Sequence, residues 1–225
     1  MNATKARAQR RHAGRNKGLP LFPLAIGLVV LLGIVAIIVT VAGSDDSAAD
    51  ETRPVTVDGE PLPQMPDGAD PAIGMTAPAI RGENFAGEPV KIEADGRAKA
   101  IAFVAHWCPH CQAEVPKLAD YLDGPGLPEG VDLYFVSTSV DSGQGELPAV
   151  GLARAQGVGD VPTVVDDAKT KAYISYGAGG FPFMVFLDAD NKVVLRTTGE
   201  LPDGSYEQYF GALAAGTPLA PAPAG

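Results

Sequence analysis

Between residues 73 and 215 the apolar positions follow two periods in turn, and their alternation predicts the elements. Residues 89–92 (PVKI) and 98–106 (AKAIAFVAH) read as strands, the second running straight into WCPHC. From Pro109 to Leu122, Val115, Leu118, Ala119 and Leu122 share one helical face. Residues 131–138 (VDLYFVST) are almost continuously apolar, as in a central strand covered on both faces. Short helices are predicted over 146–157, ended by glycine, and over 166–177. Residues 183–199 form a hairpin turning at ADN, and 205–216 an amphipathic closing helix. Strands and helices in this order predict an α/β fold, a three-layer sandwich with a mixed central sheet.

The flanks have other patterns. Residues 19–42 (LPLFPLAIGLVVLLGIVAIIVTVA) are 24 positions without a charge. At ~1.5 Å per residue they make ~36 Å of helix, enough to span a hydrocarbon core of ~30 Å. The run exceeds the apolar core of a cleaved signal peptide, so residues 19–43 are expected to be one transmembrane anchor. Residues 44–72, rich in Asp, Pro, Ala and Gly without apolar periodicity, read as a solvated acidic linker. Residues 216–225 read as a disordered tail, leaving 73–215 as the folded domain.

Charge orients this arrangement. The net charge of the 225 residues is -10, yet residues 1–18 carry six Lys or Arg and no acid, and all 27 acids lie beyond residue 43. A basic tail before the span and an acidic flank after it put the N-terminus in the cytoplasm and the domain outside the cell membrane. So short a basic run beside a span is a topology signal, and with no second basic patch a nucleic-acid partner is not expected. An extracytoplasmic dithiol can persist as a disulfide, which the cytosol would reduce.

The chemistry concentrates in AHWCPHCQAEVP, residues 105–116, which contains both cysteines and two of the three histidines. Cys108 ends a strand and precedes a helix opening on Pro109, a favoured first helical residue. At the N-cap its thiolate would meet free N–H groups and the positive end of the helix dipole. Cys111, one turn on, faces back toward it from a more buried position. That asymmetry suits dithiol exchange, with an outer nucleophile and an inner resolving thiol. His110, when protonated, would add to thiolate stabilisation and push the pair toward being an oxidant. Three other readings compete with it. Zinc needs four ligands, and Cys108, Cys111, His106 and His110 are crowded in sequence. Two thiolates suit Cu(I), but no later histidine completes such a site. A structural disulfide closing so small a loop would constrain the unfolded chain little.

The stretch FVAHWCPHC after a buried strand, a proline about 70 residues later and the closing hairpin and helix resemble a thioredoxin-fold disulfide oxidoreductase. GMTAPAI (74–80) and WCPHCQAEVP are similar to the G-x-x-A-P and W-C-x-x-C-x-x-E-x-P motifs of the membrane-anchored TlpA/ResA type. The resemblance implies Cys108 as nucleophile, Cys111 as resolving thiol and Glu114 as the acid managing the buried thiol's proton. It implies that Pro109, His110 and Trp107 tune the site, that Pro116 bends the helix, and that Pro182 is a cis-proline facing the cysteines. Phe181, before it, would offer backbone groups to an extended substrate, with Gly179 and Gly180 allowing close approach. Two features depart from the pattern. Ala102 stands where thioredoxin has a buried aspartate, and Cys-Pro-His-Cys resembles DsbA-type oxidants rather than the reductive TlpA branch.

The expected function is a membrane-tethered oxidoreductase exchanging disulfides with exported cysteine-containing proteins, leaning toward oxidation or isomerisation. It would use no cofactor beyond the Cys108–Cys111 disulfide, bind no metal, and draw on an unidentified membrane redox partner. The alternatives are a reductant for cytochrome c maturation or similar apoproteins and, in another class, a Cu(I)-binding assembly module.

Overall fold

The computed structural model describes residues 52–141, 143–144 and 157–220. The predicted tail and span (1–43), linker residues 44–51, most of the predicted helix 146–157 and residues 221–225 lie outside the described residues. Among those described, no helix is long and apolar enough to cross a membrane.

Eight strands and three helices are described. They are β1 (Thr56–Asp58), β2 (Ala79–Glu83), β3 (Pro89–Ile92), β4 (Ala98–Val104), α1 (Pro109–Asp123), β5 (Val131–Ser137) and β6 (Thr163–Val165). After them come α2 (Lys171–Ser175), β7 (Phe183–Leu187), β8 (Val193–Thr198) and α3 (Ser205–Ala215). Five strands form the central sheet in the order β6-β5-β4-β7-β8, and β1-β2-β3 form a separate antiparallel meander. β4, β5 and β6 run parallel, whereas β7 and β8 are antiparallel, so the sheet is mixed as the alternation predicted.

The two-residue period divides the core. Ala98, Ala100, Ala102 and Val104 of β4 pack with Leu118 of α1 and with Tyr209 and Phe210 of α3. Ile101 and Phe103 point to the other face, against Ile80 and Ile92 of the meander and Tyr176 after α2. β7 repeats this, with Met184 and Phe186 on the helix side and Phe183, Val185 and Leu187 opposite. Each large apolar side chain among these contributes roughly 1.5–3 kcal/mol of transfer free energy, and the small β4 alanines let the helices approach closely.

The strap before residue 73 corrects the linker reading. From residue 52 the chain is folded onto the domain: Val55, Leu62 and Ala72 are buried, and β1 pairs with β2. Leu62 N–H donates to Ser175 O and Met65 N–H to Gly177 O, both at 2.9 Å. Asp70 holds Arg196 of β8 through both carboxylate oxygens, one bond measuring 2.8 Å, and Arg196 also donates to the Pro63 and Tyr176 carbonyls. Single apolar residues at irregular spacing dock this strap, and such spacing leaves no periodic signal. Likewise, Leu219 of the expected tail packs against the helix-side core. β6 was missed because three residues are too few to show a period.

Candidate active site

Register brings the site together. Phe103 pairs with Phe183, so the end of β4 that leads to Cys108 lies beside the start of β7, just after Pro182. Thr198 also pairs with Phe183, so β8 returns the chain to the same end at Gly199 and Glu200. In open α/β sheets this carboxyl end of the parallel strands is where chemistry gathers.

Cys108 is the N-cap of α1, with no side-chain hydrogen bond at the cap and Pro109 following. Its N–H donates to Ala105 O, and its carbonyl accepts from Gln112 N–H, both at 3.1 Å. Both cysteines are free thiols; Cys108 is 5% exposed and Cys111 is wholly buried. Burial pushes the Cys111 thiol far up; a backbone group of Ala105 pulls it down, and the charges of Cys108 and Glu114 raise it further. The inner sulfur therefore stays protonated.

Glu114 is buried inside α1 at 2% exposure. Its Oε1 accepts from the Tyr206 hydroxyl at 2.6 Å, and its Oε2 from Leu201 N–H at 3.2 Å. Lys117 Nζ lies 3.4 Å from Oε2. Burial, then Glu114, push the Tyr206 phenol far up, so it remains a donor. Ala102 lies in the helix-side core, which leaves Glu114 as the carboxylate acting on Cys111. Helix α1 runs through Pro116 to Asp123.

His110 is at the surface, its side chain 67% exposed, with Nδ1 at 2.8 Å from Glu200 Oε1. Hydrogen bonds from His110 and then Lys117 hold the Glu200 carboxyl below its ordinary value. His106, weighed above as a metal ligand, is buried, its Nε2 accepting from Asp141 N–H at 3.4 Å. Among the described residues no three His, Cys, Asp or Glu side chains group so as to hold a metal.

The Phe181–Pro182 peptide bond is cis. Pro182 is buried and Phe181 half-buried. Trp107 meets Phe181 edge-on, with ring centroids 5.9 Å apart, and its Nε1–H donates to Ser139 O at 2.7 Å. On its other side Phe181 stacks on Tyr173 of α2 at 4.7 Å, and the Tyr173 hydroxyl donates to Gly180 O at 3.3 Å. Asp166 anchors α2 by accepting from Thr138 Oγ1, Ala172 N–H and Tyr173 N–H. Gly179 lies against Gln64 of the strap, and a Cβ on Gly180 would come within 2.5 Å of Thr198 Oγ1.

The structure thus brings together Trp107, Cys108, Pro109, His110, Cys111 and Glu114 on one strand-to-helix turn, with Phe181 against Trp107. The reading of the sequence missed Glu200, Tyr206, Lys117 and Tyr173. Tyr206 and Tyr173 had the signal of an aromatic inside a predicted helix, but that signal speaks for core packing alone.

Fold and site define the class. The chain belongs to the thioredoxin-like domain family, which matches residues 85–214, and it is a thiol-disulfide oxidoreductase. It is 27% identical over 150 residues to the thiol:disulfide interchange protein HelX of Rhodobacter capsulatus, covering 64% of this chain and 78% of that protein. Its fold is similar to the thioredoxin domain of a thiol-disulfide oxidoreductase from Bacteroides vulgatus, with TM-score 0.51 and 23% identity over 63% of this chain and 98% of that one. It is also similar to a thioredoxin-family thiol:disulfide interchange protein from Chlorobium tepidum, with TM-score 0.51 and 21% identity over 70% and 99% of the two chains.

Proposed function

We propose that the protein is a membrane-tethered, extracytoplasmic oxidoreductase of the TlpA/ResA scaffold that introduces or rearranges disulfides in exported proteins. The observation that carries the chemistry is the contrast within one helical turn: Cys108 at an N-cap that its side chain does not close, Cys111 sealed beneath it, hydrogen-bonded to Cys108 and with a raised pKa. Tether and sidedness rest on the apolar run 19–43 and the basic residues before it.

In the oxidising direction a substrate thiolate attacks Cys108 Sγ of the Cys108–Cys111 disulfide. An S–S bond forms between substrate and Cys108 while the Cys108–Cys111 bond breaks, releasing Cys111 sulfur with the electron pair. A thiolate of raised pKa leaves slowly unless it is protonated, and Glu114, i+3 from Cys111 on the same helix, is the group to pass it that proton. A second substrate thiolate then attacks the substrate sulfur of the mixed disulfide, releasing Cys108. The substrate is oxidised by two electrons, the enzyme pair is reduced, and a membrane dithiol oxidase restores it. During attack the Phe181 backbone is available to pair with an extended peptide, as no described hydrogen bond engages it.

The lean toward oxidation rests on Pro109 and His110 between the cysteines. The reductive reading, service to cytochrome c maturation or similar apoproteins, draws support from the buried Glu114, which equally takes a proton from Cys111 as it attacks. The reduction potential of the pair together with its thiol state in cells tests the direction. Near ~-120 mV with a disulfide in cells, oxidation stands; near ~-270 mV with reduced thiols, it falls. Stoichiometric Cu(I) binding that needs both cysteines, with no disulfide exchange, would favour the copper module instead.

A further inference from the structure

Glu200 divides its carboxylate between two residues of α1. Oε1 lies 2.8 Å from His110 Nδ1, and Oε2 lies 3.3 Å from Lys117 Nζ. His110 and Lys117 are seven positions apart, two turns of one helical face, so a single carboxylate from the loop after β8 spans both. Lys117 is itself held from three sides, donating to Leu201 O at 3.4 Å and pairing with Glu114 Oε2 at 3.4 Å besides Glu200. Leu201 N–H meanwhile donates to Glu114. The dipeptide Glu200-Leu201 therefore touches both the surface imidazole between the cysteines and the buried acid beneath them.

A side chain as exposed as His110 would otherwise turn among its rotamers in solvent. Glu200 gives it one orientation, with Nδ1 held at 2.8 Å from Oε1. None of the described contacts of Glu200 is with a cysteine, and it is absent from the groups acting on Cys111. Whatever it does to the pair passes through a neighbour.

We propose that Glu200 is a positioning residue for the redox pair: Lys117 orients Glu200, Glu200 holds His110 fixed over the first turn of α1, and His110 biases the pair toward the oxidant. This deepens the proposed exchange chemistry and rests on it. The pair is exposed, so the effect is modest, roughly a threefold to fivefold change in an equilibrium constant.

The test equilibrates the full chain with glutathione redox buffers and compares wild type, Glu200→Gln, His110→Ala and the double variant. Glu200→Gln should make the pair more reducing by about threefold to fivefold in its equilibrium constant. His110→Ala should shift it further the same way, and the double variant should match His110→Ala alone. An additive double variant, an unchanged Glu200→Gln, or a more oxidising one each overturns the proposal. Thermal unfolding of Glu200→Gln should match wild type, which separates a shifted potential from a damaged fold. If the exchange reading itself fails, none of the four chains equilibrates with glutathione; if only this inference fails, all four do.

Discussion

The Tyr206 hydroxyl reaches Glu114 Oε1 at 2.6 Å across 92 residues of sequence, from α3 to α1. The acid beneath the cysteines is thus fixed by a second helix, in a place where water does not compete. A buried carboxylate deprived of one of its donors keeps the cost of its desolvation. Tyr206→Phe should lower unfolding free energy in urea by roughly 1.5–3 kcal/mol with the fold retained. A loss under about 0.5 kcal/mol would show that water replaces the phenol.

Glu114→Gln keeps the shape and can still accept from Leu201 N–H, with the Tyr206 hydroxyl turned to accept from the amide, but it cannot carry the proton. In the oxidising direction rapid-mixing kinetics should show formation of the mixed disulfide, the step in which Cys111 leaves, slowed by roughly 100-fold or more, within the usual range for general acid-base catalysis. The second step, in which a substrate thiolate releases Cys108, should change by less than about threefold, because Cys108 leaves at the helix cap while Glu114 lies nearly two turns in. Equal slowing of both steps would remove Glu114 from the proton path.

The contrast in exposure between the sulfurs predicts ordered alkylation. In the reduced native protein iodoacetamide should modify Cys108 and spare Cys111 until the chain is unfolded, as read by peptide mass mapping. Cys111→Ser should accumulate a mixed disulfide on Cys108, and Cys108→Ser should accumulate none. Native modification of Cys111 at a comparable rate would contradict its burial.

Gly180 leaves room for Thr198. Gly180→Ala would place a Cβ 2.5 Å from Thr198 Oγ1, so the loop before Pro182 must shift. Exchange with a peptide substrate should weaken through KM by about tenfold, on the order of 1.4 kcal/mol, with little change toward a small disulfide that makes no backbone pairing. Adding Thr198→Ala removes the clashing oxygen and should restore the peptide KM. Failure of that rescue would mean that the loop is not what the methyl disturbs.

The strap carries a pH signature. Burial alone would raise the Asp70 carboxyl, but its bonds from Arg196 and Ala72 N–H outweigh that and hold it below the ordinary 3.8. A carboxyl depressed in the folded state adds stability that is complete above its unfolded pKa and is lost as pH falls through the folded one. Wild type should therefore weaken below about pH 4, and Asp70→Asn should have a shallower acid limb from a lower starting stability. At neutral pH, leaving the buried Arg196 without its partner should cost about 3–5 kcal/mol in denaturant unfolding. An unchanged acid limb would place the transition in other carboxyls, such as Asp95 with Lys99.

Much of this molecule was legible in one dimension. The apolar strand-like runs of residues 98–104 and 183–187 and the helical period of 109–122 named the sheet and its covering helix. The same local logic put Cys108 at a helix cap and Cys111 one turn inward, because cap and turn are set by residues within four positions of each other. What periodicity does not encode is which distant segment arrives at the site. Sheet order β6-β5-β4-β7-β8 returns β8 beside β7 at the cysteine end, and this alone delivers Glu200 to His110, 90 residues away, and Tyr206 to Glu114. The strap from residue 52 was hidden for a related reason. Its stability comes from isolated buried residues and from Asp70 pairing with Arg196 across 126 positions, and neither leaves a repeating pattern. Sequence by itself determined where the two sulfurs sit on the helix and which of them is the deeper; tertiary structure decided which charges and hydrogen bonds surround them, since those depend on which strand ends meet.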